Sequence, residues 1–528
     1  MPSDHVKDTV TLATGTLVSR LLGFARDLLI AYVLGPAADA FLLAFRLPNI
    51  FRRLLAEGSL GMGHAAAEAR ILAEHGAAAV QSFARSVCLR LFLLALPVCL
   101  LLLLAAPLIV FLLAPGAEST ILARGADLFR LCLPYLPLSL AAAIAFAHAA
   151  NTGNFLPQAW APALFNIPLL ICASAALVLR PEIGTAEMLL CIGVICGGLA
   201  QALVGLRCLG TTRFPAPNTR GITAFFFGPP EVQSLLKTLP ASALGAAPHQ
   251  IHILAGLILA SFLAPGGISA LYFAERLVEL PLGIAGAAVG IAALPRFSAL
   301  AAERNWLGFT ETLGRSIRMG AFLSFPAAAG LFALAYPLSA LLFGHGAYAG
   351  DPVAVTAAAL CGYTFGLPAL CATRPLLAAA HALQLEKVPL KAALVSLGLL
   401  VPVSIGGFLF SEGTASAAFS VGLGLSAGAW CNVLLLLLHV NGALRTEGKD
   451  EGEGLRKFSG ACPPACLVYL AAALVMAFCL ILLAEPAQDM SLLALPILIL
   501  VAVALWFSGF LAFRNEDARA LARLFRRD

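Results

Sequence analysis

Charge is scarce in this 528-residue chain: 12% of its residues are charged and 60% are apolar, with a mean hydropathy of +0.93. Soluble globular proteins carry roughly 25% charged and 45–50% apolar residues. A soluble enzyme, a secreted disulfide scaffold and a disordered chain are therefore excluded, because no water-facing globule hides this much apolar surface. The motifs of common chemistry are missing as well. There is no GxxxxGK[ST] loop for a nucleotide, no HExxH, no Cys/His metal spacing and no nucleophile elbow. The net charge of +5 is too small to point to nucleic acid, and no basic cluster is interleaved with aromatics. The 13 cysteines are odd in number and lie mostly inside apolar runs, where they read as small buried hydrophobes. Cys462 and Cys466 have no accompanying His or second Cys pair, so they do not read as metal ligands. Arg20 and Arg26 interrupt the first apolar stretch, which is therefore not a cleavable signal peptide.

What the chain has instead is long apolar runs. Fourteen candidate spans fall near residues 9–33, 38–56, 86–113, 125–150, 158–179, 187–206, 238–263, 268–294, 319–343, 353–380, 390–410, 414–439, 465–484 and 491–513. The fold class expected is an all-α polytopic membrane protein. With the N-terminus in the cytoplasm, the alternate loops on that side collect the loop lysines and arginines. They include Arg52, Arg53, Arg207, Arg213, Arg296, Arg304, Lys387, Arg445 and the tail from Arg514 to Arg527. The opposite loops hold only Arg124 and Arg180. That bias places both termini in the cytoplasm.

A few basic residues remain inside apolar segments: Arg20, Arg26, Arg46, Arg90, Arg130, Arg276 and Arg374. Arg90 and Arg130 lie near span ends and are expected to snorkel. An arginine at a helix centre costs at least about 2.5–3.5 kcal/mol to insert, and by default it marks a substrate or ion pathway. The competing explanation is a structural ion pair, and candidates exist in Arg26 with Asp27, Arg53 with Glu57, and Arg276 with Glu275 and Glu279. In the second span Asp39, Arg46, Asn49, Arg53 and Glu57 fall on one helical face, with a kink expected at Pro48. Arg20 and Asp27 share a face of the first span. A cavity lined mainly by guanidinium groups favours an anion, and phosphate in particular. Glu275 and Arg374 are further contributors expected from the second half. The histidines His64, His148, His249 and His252 read as helix-face polar residues and not as ligands.

The second half repeats the first. Ile30–Leu47 aligns with Leu259–Leu277, pairing Pro36 with Pro265, Ala44 with Ala274 and Arg46 with Arg276, six spans apart. An even number of spans per repeat implies two lobes of the same orientation. The expected organisation is an N-lobe and connector over residues 1–237, a C-lobe over 238–440, a charged linker over 441–464, two further spans over 465–513 and a basic tail over 514–528. Gly15 and Gly23 in span one, and Gly283, Gly286 and Gly290 in span eight, thin those helices and suggest a lateral gate between them.

Particular motifs then carry a family resemblance. Ser19-Arg-Leu-Leu-Gly-Phe-Ala-Arg-Asp27, Asp39-Ala-Phe, Phe45-Arg-Leu-Pro-Asn49, Arg52-Arg53 and Ala56-Glu-Gly58 resemble the MurJ/MviN lipid II flippases of bacteria. So do Tyr272-Phe-Ala-Glu-Arg276 and Glu279-Leu-Pro-Leu-Gly283. The resemblance implies a MOP-superfamily transporter related to MATE-type exporters, with two six-helix lobes and alternating access. It implies a groove for the lipid tail on the last two spans. It also implies a diphosphate site at Arg20, Arg26, Arg52 and Arg276, with Asp39 and Glu57 as associated acids. The expected partners are lipid II, membrane lipids and the cell-wall synthesis machinery, in the bacterial inner membrane. No cofactor is expected; membrane potential or an ion gradient would drive transport. The alternative is a flippase for another polyprenyl-diphosphate-linked oligosaccharide. Two stretches depart from the family pattern: Ser59-Leu-Gly-Met-Gly-His-Ala-Ala-Ala67 and Ala380-His-Ala382.

Overall fold

Runs of Leu, Ala, Val and Ile with few breakers form helices, because inside a bilayer each backbone N–H must find its carbonyl within the same segment. In the computed structural model the described residues are 2–54, 60–210, 230–290, 293–447, 456–484 and 494–512, with side-chain surroundings over a narrower set. They contain twenty α-helices and no strand.

In chain order these are α1 (Pro2–Leu34), α2 (Ala38–Leu54), α3 (Leu60–His75), α4 (Ala77–Leu104), α5 (Ala106–Leu113), α6 (Ser119–Cys132), α7 (Tyr135–Asn151), α8 (Leu156–Leu179), α9 (Ile183–Cys208) and α10 (Pro230–Ala260). Then follow α11 (Gly267–Gly290), α12 (Ala293–Ala302), α13 (Trp306–Ala333), α14 (Ala335–Phe343), α15 (Asp351–Thr364), α16 (Leu367–Ala382), α17 (Val388–Leu409), α18 (Thr414–Glu447), α19 (Arg456–Ala484) and α20 (Ala494–Ala512).

Among the described residues seven helical stretches are long and apolar enough to cross a membrane: Thr14–Ile50, Ala77–Leu104, Leu156–Leu179, Ile183–Cys208, Trp306–Ala333, Val388–Leu409 and Thr414–Thr446. Two bent pairs, α6 with α7 at 42° and α15 with α16 at 48°, raise this to nine. Gln250–Ala260 and Cys466–Ile481 are shorter apolar helices. The chain is thus an all-helical, multi-pass membrane protein, and the count of fourteen spans stays an expectation. Large apolar side chains face outward: Val178 is 79% and Phe410 87% exposed, with Leu101, Leu104, Leu467 and Leu505 alongside. Water would make such a surface unstable, whereas hydrocarbon suits it.

The chain divides into two compact units. The first comprises Met1–Gln250, Ala264–Ser269 and Gly346–Tyr348; the second comprises Ile251–Leu263, Ala270–His345 and Ala349–Asp528. Within the first, α1 packs on α8, α8 on α9, and α7 on α4 and α9, while α2 lies against α6 and α7. Gly35 and Gly346 have φ of +56° and +63°, which side chains rarely adopt. A Cβ on Gly346 would sit 2.5 Å from the Tyr32 carbonyl oxygen, and one on Gly35 would run into that of Ala347. Backbone therefore meets backbone where the 346–348 turn joins the first unit.

Within the second unit α17 packs on α18, α18 on α15, and α13 on α16 and α19. Phe297, Phe309, Leu313, Leu376 and Leu436 form one of its buried clusters. A second cluster gathers Phe322 of α13, Tyr469 of α19, and Trp506 and Phe510 of α20 at ring distances of 4.8–5.8 Å.

Candidate functional site

In the first unit the arginine at the end of the Ser19–Asp27 motif is enclosed. Arg26 is 7% and Asp27 0% exposed. The guanidinium donates from Nε (2.9 Å) and Nη2 (2.6 Å) to Asp27 Oδ1, and from Nη1 to Asn166 Oδ1 at 2.9 Å. Asn166 in turn donates Nδ2–H to the Ser19 carbonyl at 3.1 Å, which ties α8 to α1. The ion pair that adjacency in sequence suggests is therefore formed. Its third member, Asn166, was missed, although an amide between Pro162 and Pro168 in an otherwise apolar span was its available signal.

Asp39 stands at the start of α2 and is buried. Its Oδ2 accepts from the Gly266 backbone N–H and its Oδ1 from that of Ser269, both at 2.7 Å. The carboxylate thus caps the N-terminus of α11, whose first N–H groups have no partner of their own and carry the positive end of the helix dipole. Asp39 comes into the site as a cap, not as a neighbour of the arginines on its own helix. Arg20 is exposed on α1 and Arg46 half-buried on α2, which runs through Pro48. Arg52 and Arg53 lie in the last turn of α2, with side chains outside the described residues, and Glu57 falls outside them altogether.

In the second unit Arg276 of α11 pairs through Nη1 with Glu279. It donates Nη2–H to Tyr272 Oη at 3.1 Å, and its Cζ lies 4.5 Å from the centre of that ring. Spacings of i−4 and i+3 put these partners on one helical face, so the Tyr272-Phe-Ala-Glu-Arg276 motif builds its own cation seat. Glu275 is half-buried beside it, and Arg374 is exposed on α16.

Two of the glycines named for a gate meet a helix of their own unit. A Cβ on Gly15 would lie 2.5 Å from the Ala159 carbonyl oxygen, and one on Gly23 3.3 Å from Asn166 Nδ2. Both face α8, so these two let span one approach span five within one unit. Gly283 is buried in α11, and the surroundings of Gly286 and Gly290 lie outside the described residues.

Arg90 is also corrected. It is 3% exposed, and its Nε and Nη1 are buried without a hydrogen-bond partner among the described residues, so it does not snorkel. Arg130 does reach an exposed partner, Asp127, at 2.7 Å. His252 bonds Ser396 at 2.7 Å, as a helix-face polar residue would; the surroundings of His249 lie outside the described residues. No group of three metal-ligating side chains among the described residues is arranged to hold an ion.

Comparison with known proteins gives a consistent answer. The family model described as "Lipid II flippase MurJ" matches residues 30–497. The chain is 28% identical over 518 residues to the lipid II flippase MurJ of Burkholderia cenocepacia, covering 95% of this chain and 97% of that one. It is 30% identical to a probable lipid II flippase MurJ of Bdellovibrio bacteriovorus, covering 95% and 93%. Among solved structures, a lipid II flippase MurJ in an inward closed conformation superposes with a TM-score of 0.75 at 20% identity, covering 96% of this chain and 99% of that one. An inward-facing MATE-family multidrug resistance transporter of the MOP superfamily follows at 0.62 and 15%, covering 83% and 99%. These two structures share the fold.

Proposed function

The chain belongs to the MurJ family of lipid II flippases, and from that premise we propose that it carries lipid II across the bacterial inner membrane. The undecaprenyl-diphosphate-linked head moves from the cytoplasmic to the periplasmic leaflet, with both termini of the protein in the cytoplasm. The observation that carries this reading is a pair of arginines inside apolar helices, Arg26 and Arg276, each held by oxygen acceptors. Asp27 and Asn166 hold Arg26, and Glu279 and Tyr272 hold Arg276. These partners lower the self-energy of cations that hydrocarbon would otherwise reject. A diphosphate offers more acceptor oxygens than one carboxylate and pairs bidentately with guanidinium. Its arrival can therefore draw such arginines toward a central cationic cavity.

The physical need is plain. Moving a sugar–peptide head unaided through about 30 Å of hydrocarbon strips many polar groups of water, each at a cost of several kcal/mol. A polar cavity that opens alternately to each side keeps the head hydrated while the chains of the lipid stay in the bilayer. A negative-inside potential favours outward movement of the anionic head by about 2.3 kcal/mol per charge per 100 mV.

The test is replacement of a bacterium's chromosomal lipid II flippase with this gene. Growth and lipid II externalisation are expected with the wild-type chain. They should fail with Ala at Arg20, Arg26, Arg52 and Arg276 together. Normal protein amounts with intact growth in that quadruple variant would refute the cationic cavity.

A further inference from the structure

Residues 60–67 of the stretch that departs from the family pattern open α3, which at 16 residues is shorter than the membrane-crossing helices. The Arg70–Glu74 pair on this helix faces solvent, with side chains 61% and 54% exposed. Its other face is buried, and not by apolar residues alone. His64 is 0%, Glu68 3% and His148 5% exposed. Glu68 Oε1 lies 2.6 Å from His148 Nδ1 and 3.0 Å from His64 Nε2, and Glu68 Oε2 accepts from Asn151 Nδ2 at 2.7 Å. His64 stacks on Phe83 of α4 at 5.5 Å. Beneath the cluster, Ile71, Val80, Phe83, Val87 and Ile144 form an apolar floor.

Burial by itself would push the Glu68 carboxyl up, but the donors on His148, His64 and Asn151 outweigh it and hold the group at about 2. The carboxylate is therefore ionised at any physiological pH. A buried carboxylate is tolerated only when its acceptor sites are filled, and here His148 and Asn151 of α7 fill them while the His64 ring nitrogen lies 3.0 Å from Oε1.

This places a strong polar fastening between α3 and the last turn of α7. Only five residues separate Leu54, the end of α2, from Leu60, the start of α3. That link can span at most about 20 Å even when fully extended. Where α3 is fastened therefore limits where the Arg52–Arg53 end of α2 can go. We propose that Glu68, with His148, His64 and Asn151, is a positioning site for transport: it fixes α3 on α7 and thereby sets the reach of the arginines at the end of α2. This role rests on the flippase reading above.

Two measurements on the full-length protein test it. The first is hydrogen exchange of peptides covering residues 60–75 in purified protein, which needs no substrate. Glu68→Ala is expected to raise that exchange by roughly 100-fold, the effect of removing one partner from a buried charged network. Exchange in α8 should not change, and Arg70→Ala, on the exposed face, should match wild type. The second is growth and lipid II externalisation in the replacement strain. Glu68→Ala and His148→Ala should each reduce transport at normal protein amounts. The reciprocal exchange E68H/H148E, which rebuilds one imidazole–carboxylate bond in reverse, should restore both protection and transport together, as should His148→Gln in part. A purely structural contact would let Glu68→Ala loosen α3 while transport stays normal, and that result overturns the proposal. So does a reciprocal exchange that restores protection without transport, or wild-type exchange rates in Glu68→Ala. A wild-type chain that cannot sustain growth refutes the flippase reading itself, whatever the exchange of α3 shows.

Discussion

Removing Arg26 separates its structural role from the transport role proposed for it, if the single and paired variants are compared. The guanidinium and Asp27 are 9% and 0% exposed at the side chain and approach to 2.6 Å. At an effective dielectric constant of about 20, two unit charges at that separation attract by about 6 kcal/mol before desolvation is subtracted. Desolvation offsets much of this while the pair is intact, but not when one partner is removed. Arg26→Ala leaves the Asp27 carboxylate buried and takes a donor from Asn166, at an expected cost of about 3–5 kcal/mol. Replacing both charges with apolar groups, as in R26M/D27L, removes the orphan and should recover most of that loss. The assay is thermal inactivation of purified protein in detergent, read by the fraction that stays monodisperse, beside complementation of a flippase-depleted strain. The expected pattern is a labile single variant, a stable double variant, and no transport from either. If R26M/D27L were stable and transported lipid II normally, Arg26 would be a packing device and not part of the anion site. If the double variant were as labile as the single, the electrostatic reasoning would be wrong.

Other expectations follow from single positions. A cysteine at Ser119 should be labelled by an impermeant thiol reagent from outside the cell and one at Thr446 should not; equal labelling from one side would overturn the orientation. Gly15→Val should destabilise by about 1–3 kcal/mol because its side chain meets the Ala159 carbonyl, whereas Gly330→Ala, with nothing within 4 Å, should be neutral; matched melting curves would refute the contact. Arg90→Met should leave the melting midpoint unchanged or raise it, since a buried cation with no partner among the described residues costs stability, and a fall of several degrees would contradict this. Glu68 is held at about 2 in the folded protein against an ordinary value of 4.5, so its fastening of α3 contributes in full above about pH 4.5 and is lost as pH falls toward 2. Hydrogen exchange of residues 60–75, corrected for intrinsic rate, should therefore rise between pH 5 and pH 3, and Glu68→Gln should flatten that rise.

The helical membrane class was legible because composition and long apolar runs act locally, and the family because its motifs are contiguous. The Arg26–Asp27 and Arg276–Glu279 pairs were legible for the same reason: adjacency and i+3 spacing bring side chains together on any helix. What sequence could not supply was the identity of distant neighbours. Asn166 meets Arg26 across 140 residues, and Asp39 meets backbone N–H groups more than 220 residues away, which no side-chain pattern announces. Gly15 and Gly23 advertise close approach but not the helix that approaches. Arg90 looked like a snorkelling residue because its distance from the span end was visible and its burial was not. His64 and His148 each looked isolated, and only α3 folding back onto α4 and α7 brings them to one carboxylate.

The main-chain seam at Gly35 and Gly346, together with the Asp39 cap, bears on how this gene can be divided. The first compact unit draws two short pieces, Ala264–Ser269 and Gly346–Tyr348, from far down the chain. A fragment ending near Gln250 would lack both. It would leave Asp39 without its two N–H donors and the Gly35 turn without the backbone it rests on. The sequence repeat suggests two interchangeable modules, yet the N-terminal half does not carry everything its own packing requires. Split expression should succeed only when both fragments are made together, and half-for-half chimeras should need their turn segments matched to the partner that receives them.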